Sequence, residues 1–242
     1  MELGGRVALV TGAGRRVGRA IALALAKKGM RVAVHYHAST SEADETVRLA
    51  REAGAAEAWT ISADLRDPAA ITKMVDDVAT RGGALDVLVN SAAEMKRTPF
   101  DTVTPAEWDD IIALNMKSPF FCSQAAARHM MKGGAIVNIA DLAALETWPE
   151  YIPHGISKAG VLQMTRALAR TLAPAIRVNA VVPGAVLLPE HWTKEDADKL
   201  IRTTPLARLG APEDVAHAVV YLLESDYVTG DAVVVDGGRQ LR

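Results

Sequence analysis

Short apolar runs alternate along the chain with longer stretches in which hydrophobic residues recur every three or four positions. Arg6–Val10 (RVALV), Arg31–Tyr36 (RVAVHY), Ala58–Ala63, Leu85–Asn90 (LDVLVN), Ala135–Ala140, Ile176–Val182 and Ala232–Val235 read as buried strands. Helical periodicity fills the intervals: Arg19–Lys28 closed by Gly29, Ser41–Ala53 closed by Gly54, and Pro153–Leu172 and Pro212–Leu223 further on. Asp67-Pro68 supplies a cap and a first-turn proline for a helix reaching about Thr80. Pro105–Met131 reads as one long helix bent near Ser118-Pro119, because an interior proline removes a ladder donor. Strand–helix alternation with apolar strands predicts a doubly wound α/β domain: a parallel seven-stranded sheet covered on both faces. One domain over residues 1–242 is expected, with Gly184–Gly210 as a substrate lid, since so long an irregular segment is more often a binding element than a defect.

Composition narrows this picture. Half of the 242 residues are hydrophobic, and the 43 alanines favour helix. A single cysteine excludes an internal disulfide framework and fits a reducing, cytoplasmic setting. No apolar run approaches the ~20 residues that span a bilayer, and the N-terminus lacks a signal-peptide layout. Net charge is −2 with scattered Lys and Arg, so neither nucleic acid nor membrane is an expected partner. No His/Cys/Asp/Glu grouping has metal-ligand spacing, and Cys122 reads as a core residue of the long helix.

The first strand runs into Thr11-Gly12-Ala13-Gly14-Arg15-Arg16-Val17-Gly18, and a helix follows. Glycines there let the backbone turn and approach a pyrophosphate, and the helix N-terminus presents free N–H groups to it. At the end of the second strand stand His35-Tyr36-His37-Ala38-Ser39, with no acid before Glu42. A carboxylate there would accept from the ribose hydroxyls of NAD. Its absence, with Arg15 and Arg16 in the first loop, points to NADP(H).

These motifs resemble the short-chain dehydrogenase/reductase family over essentially the whole chain. Arg16 takes the place of the family's middle glycine, and with His35-Tyr36-His37 and Ser39 it resembles the NADPH-using pteridine-reductase branch; Ala38 departs from that branch's arginine. The resemblance implies that Asp64-Leu65 meets the adenine and that Asn90-Ser91-Ala92-Ala93 lines the cofactor after the fourth strand. It places Pro183-Gly184 near the nicotinamide. It also implies a homotetramer or homodimer, built near Tyr227–Gly230 and Val235–Gly238.

The family's catalytic Asn, Ser, Tyr and Lys map onto Asn115, Asp141, His154 and Lys158. Aspartate at the serine position is again a trait of the pteridine reductases; histidine at the tyrosine position is not. Four residues of helix bring His154 and Lys158 to one face, about 6 Å apart along the axis. The resemblance implies that Asn115 organises a relay water, Asp141 orients substrate and Lys158 holds the nicotinamide ribose. His154 is the expected proton donor, since imidazole exchanges a proton near neutrality more readily than phenol does. Tyr151, placed in the loop before the helix, is the alternative donor. His191 and Trp192 in the lid are weaker candidates for the substrate pocket, and His129 and His217 read as surface residues. The expected reaction is NADPH-dependent reduction of a small C=O or C=N substrate, with pterin as the branch-level substrate and a 3-oxoacyl thioester as the general one. Two other readings remain: an NADP-binding protein without efficient turnover, and a dehydrogenase working on an alcohol or sugar.

Overall fold

The computed structural model describes residues 1–130, 133–188 and 193–241. Seven strands form one sheet: β1 (Val7–Val10), β2 (Arg31–Tyr36), β3 (Glu57–Ser62), β4 (Val87–Asn90), β5 (Gly134–Ile139), β6 (Ile176–Pro183) and β7 (Ala232–Val235). Their order is β3-β2-β1-β4-β5-β6-β7, and every pairing is parallel. Side chains alternate between the two faces, as the two-residue period of a strand requires. Ala8, Val10, Val32, Val34, Val87 and Val89 enter one core. Val7, Leu9, Ala33, Leu88, Ile136 and Val178 enter the other.

Among the described residues there are eight α-helices: α1 (Arg16–Lys27), α2 (Thr40–Glu52), α3 (Pro68–Gly82), α4 (Pro105–Ile112), α5 (Ser118–Ala127), α6 (Ile152–Leu172), α7 (Lys194–Thr203) and α8 (Pro212–Glu224). α1 and α8 pack on the first core. α3 and α5 pack on the second. The doubly wound seven-stranded architecture expected from the sequence is present. The Asp67 carboxylate accepts from Ala69 N at 2.8 Å, with Pro68 opening α3.

Three local expectations need correction. The long helix is not a bent α-helix: α4 and α5 are joined by a π-turn over Ala113–Lys117. Pro119 cannot donate to the carbonyl four residues back, and the ladder widens just before it, with Ser118 N donating to Ala113 O. Asn115 lies in this widened turn, and Met131 lies outside the described residues. Gly184–Gly210 is less irregular than expected, because Thr193 and Asp196 form a reciprocal capping box that starts α7. His191 and Trp192 lie outside the described residues. Finally, α6 begins at Ile152 rather than Pro153, since a proline is compatible with the first helical turn.

Candidate active site

Strand order reverses between β1 and β4, and ligands of open α/β sheets sit beyond the strand C-termini at such a point. A cleft of about 890 Å³ opens there. One end is the glycine-rich loop after β1; the other is formed by Asp141, Tyr151, His154 and Lys158.

The loop is held from two sides. Thr11 Oγ1 accepts from Ser91 N (2.9 Å) and Ala92 N (3.1 Å), which ties it to the segment after β4. Gly12 adopts φ +64°, and a Cβ there would stand 2.8 Å from Ala92 Cα. Arg16 has φ +55°, so the residue that replaces a family glycine occupies left-handed backbone. Non-glycine residues pay about 1–2 kcal/mol for that conformation. Gly12, Arg15, Arg16, Val17 and Gly18 all line the cleft.

Tyr36, His37, Ser39, Asp64 and Leu65 line the end of the cleft beyond β2 and β3. Glu42, the first acid after the second strand, lines the cleft too. The first turn of α2 swings it back toward the loop, where its carboxylate is 4.0 Å from Arg15. Ser91, Ala92, Pro183 and Gly184 line the middle and far end. Asn90 does not line the cleft: it is buried, and its Nδ2 donates to Asn138 Oδ1 (2.9 Å) and Ser123 Oγ (3.2 Å). From the expected lid, Gly184, Val186 and Leu187 reach the cleft.

Three of the four catalytic candidates, Asn115, His154 and Asp141, form a single hydrogen-bonded network, with Lys158 near Asp141. His154 Nε2 lies 2.6 Å from Asp141 Oδ2. Its Nδ1 lies 3.1 Å from Glu94 O and 3.2 Å from Asn115 Nδ2. Asn115 in turn accepts from Glu94 N (2.9 Å) and donates to Glu94 O (2.8 Å). With Asp141 ionised, Nε2–H donates to it. In the neutral ring Nδ1 then accepts from Asn115, and in the imidazolium Nδ1–H donates to Glu94 O. Both charge states of the ring therefore find partners. Lys158 Nζ donates to Ile139 O at 2.9 Å.

Exposure separates the roles within this network. The His154 side chain is 2% exposed and that of Asp141 is 21% exposed. Asp141 faces the cleft and the imidazole backs it. Burial alone would raise the Asp141 carboxyl, but the His154 hydrogen bond, the Lys158 charge and the Ala143 amide outweigh it, leaving it below the usual carboxylate range. Burial lowers the Lys158 ammonium, against the opposing pull of Asp141. Asn115 is buried under this network and does not line the cleft. Tyr151 stands just before α6, bridged to Thr98 in a parallel pair, with its ring edge-on to Trp148 at 6.2 Å.

Sequence reasoning overlooked Glu94, whose backbone joins Asn115 to His154 and whose carboxylate pairs with Arg66 at 3.1 Å. Arg66 and Arg97 also line the cleft. Position in the family motif could have flagged Glu94, which directly follows Asn90-Ser91-Ala92-Ala93. His129 pairs with Asp76 at 2.7 Å, away from the cleft. Cys122 is buried in α5, where burial pushes its thiol up to about 12.

A profile of the enoyl-(acyl carrier protein) reductase family matches residues 12–240. The chain is a short-chain dehydrogenase/reductase. It is 36% identical to the 3-oxoacyl-acyl-carrier-protein reductase FabG of Staphylococcus aureus, over 97% of this chain and 98% of that protein. It is 33% identical to glucose 1-dehydrogenase 2 of Bacillus subtilis, over 99% and 96%. A solved short-chain dehydrogenase/reductase from Serratia marcescens superposes with a TM-score of 0.93 at 34% identity, covering 99% of this chain and 100% of that one. Membership makes this protein an NAD(P)-dependent oxidoreductase acting on small molecules. Among the described residues, no helix is long and apolar enough to cross a membrane.

Proposed function

We propose that this short-chain reductase uses NADPH to reduce a C=N bond flanked by N–H groups in a small heterocycle of the pterin kind. The observation that carries the reading is the cleft-facing Asp141 carboxylate with His154 behind it. An ionised carboxylate only accepts hydrogen bonds, so it opposes a bare carbonyl oxygen that gains negative charge. It suits a substrate that offers an N–H beside the bond being reduced.

NADPH supplies the hydride. The residues around the cleft fit a dinucleotide: free loop amides at one end, Arg15, Arg16 and His37 at the adenosine end, and Lys158 beside Asp141 at the other. In this reading Asp141 accepts from the substrate N–H and sets the ring in the plane. The Asp141–His154 pair gives up one proton to the substrate nitrogen, passing from His154 Nε2 through Asp141. The imidazolium thereby becomes a neutral ring with its remaining proton on Nδ1, donating to Glu94 O, until Nε2 is reprotonated. Lys158 orients the nicotinamide ribose, and its charge helps hold Asp141 ionised between turnovers.

The test is a panel of dihydropteridines, cyclic imines and 3-oxoacyl thioesters, followed by NADPH absorbance. Turnover is expected with the N–H-bearing C=N substrates. A second reading, reduction of 3-oxoacyl thioesters, is favoured by the 36% identical relative named for that reaction. Turnover of the thioesters alone would replace the first reading with the second.

Cofactor choice is tested separately. Glu42 places a carboxylate at the adenosine end, partly offset by Arg15. Glu42→Gln is expected to tighten NADPH binding roughly two- to fivefold and leave NADH nearly unchanged, the size of one exposed charge interaction. Fluorescence titration of both nucleotides reads this directly, and tighter NADH than NADPH binding in the parent would reverse the assignment. The same reading includes a homo-oligomer, since Phe100, Trp108 and Phe120 are exposed on α4, α5 and the segment before them. Sedimentation velocity showing a monomer at micromolar concentration would exclude it.

A further inference from the structure

The second strand carries a histidine that the catalytic network does not use. His35 is buried between β1 and β3, and its ring nitrogens face two different elements. Nδ1 lies 3.0 Å from Gly12 N, and Nε2 lies 3.1 Å from Ala63 O. The backbone amide of Gly12 can only donate, and the carbonyl of Ala63 can only accept. The two contacts together therefore fix one tautomer, neutral, with the proton on Nε2. The His35 carbonyl adds a third tie by accepting from Ala13 N at 2.9 Å. The Gly12-Ala13 turn is thus fastened to a single residue through both backbone and side chain.

This turn has little other support on that side. Gly12 sits in left-handed backbone against Ala92, and its amide has no helical or strand partner. Without an acceptor at His35 this half-buried amide would lose its protein partner, and the loop would have reason to rotate it elsewhere. The remaining loop amides must point into the cleft for a pyrophosphate to meet them.

We propose that His35 is a positioning residue for dinucleotide binding: as an obligately neutral, Nε2-protonated imidazole, it holds the Gly12 amide and so sets the glycine-rich loop in its binding geometry. The proposal needs a dinucleotide in the cleft, but neither a particular substrate nor NADP over NAD. Its surroundings agree. Burial is the main influence on the ring and, helped by the nearby His37 and opposed by the Ala63 hydrogen bond and Asp64, leaves its pKa lowered to about 4. A protonated ring would set Nδ1–H against Gly12 N–H, donor against donor.

Two measurements test it. Long-range ¹H–¹⁵N spectra of the intact protein should show His35 protonated at Nε2 alone, and still neutral at about pH 6, below the ordinary imidazole value. A ring protonated at Nδ1, or one titrating in the ordinary range near 6.5, overturns the proposal. The second is a pair of variants, with NADP⁺ affinity read by calorimetry and folding checked by thermal melting. Asparagine places an amide oxygen where Nδ1 stands, so His35→Asn should bind NADP⁺ within about threefold of the parent. His35→Leu keeps the volume and removes the acceptor, so it should bind about tenfold more weakly or worse. Leucine binding as well as the parent, or asparagine binding as poorly as leucine, overturns the proposal. If the leucine variant fails to fold, the asparagine variant and the ring spectrum still decide it.

Discussion

His154→Phe is expected to lower turnover by about a hundredfold or more, the usual contribution of a positioned general acid. Phenylalanine fills the ring's space but can neither hold nor pass a proton. It also takes away the partner of Asp141 Oδ2, while Asn115 Nδ2 keeps its bond to Glu94 O. Asp141→Asn should do nearly as much damage by a different route, since the amide cannot relay a proton from the imidazole. If the two act as one unit, the double variant should be little worse than either single one, because residues acting together are non-additive. The nicotinamide nucleotide should bind within about threefold of the parent in all three, since the loop and adenosine end are untouched. Steady-state kinetics with an accepted substrate, beside fluorescence titration of NADPH, separates chemistry from binding. Wild-type turnover by His154→Phe would remove the imidazole from the reaction and leave Tyr151 as the donor to examine.

Gly18→Ala is expected to be the most damaging single methyl in the protein. The added Cβ would stand 2.2 Å from Gly12 O and 2.9 Å from Gly12 C. Neither atom is the end of a flexible side chain, so the first turn of α1 or the loop must move. Overpacking of this kind costs about 1–3 kcal/mol. At this chain length that is a drop of roughly 2–12 °C in Tm, at about 2–4 °C per kcal/mol. The atoms displaced are those of the loop itself, so dinucleotide affinity should fall with stability. Gly14→Ala is the control, since its nearest neighbours are 3.6 Å away and ordinary contact suffices. Thermal melts of both variants, with and without NADP⁺, check the contrast; equal Tm values for the two would show that the loop yields freely.

Much of the fold was legible because it rests on local pattern. The bounds of β2 and β7 coincide with the apolar runs, and the Asp67-Pro68 start of α3 is read from two adjacent residues. The cleft was legible as far as its residues sit in contiguous motifs, such as Gly12–Gly18 after β1 and Ser91-Ala92 after β4. What was not legible depends on neighbours distant in sequence. Asn90 belongs to a motif, yet its side chain turns to Asn138 on β5. Glu42 was legible only as the first acid after strand two; the first turn of α2 is what returns it to the loop. Glu94 gained a role from its backbone, which no side-chain pattern announces. The π-turn hid because helical periodicity over Pro105–Met131 survives one widened turn with its hydrophobic face nearly intact. The order of exposure, carboxylate outside and imidazole inside, could not be read from a spacing of thirteen residues.

Arg16 sets two selection pressures against each other at one codon. Glycine would relieve its left-handed backbone, and would also withdraw a cation from the adenosine end of the cleft. A library screened for heat tolerance alone should therefore drift toward glycine at position 16. One screened for retention of a phosphorylated dinucleotide should keep arginine and accumulate its compensating stability elsewhere in the fold.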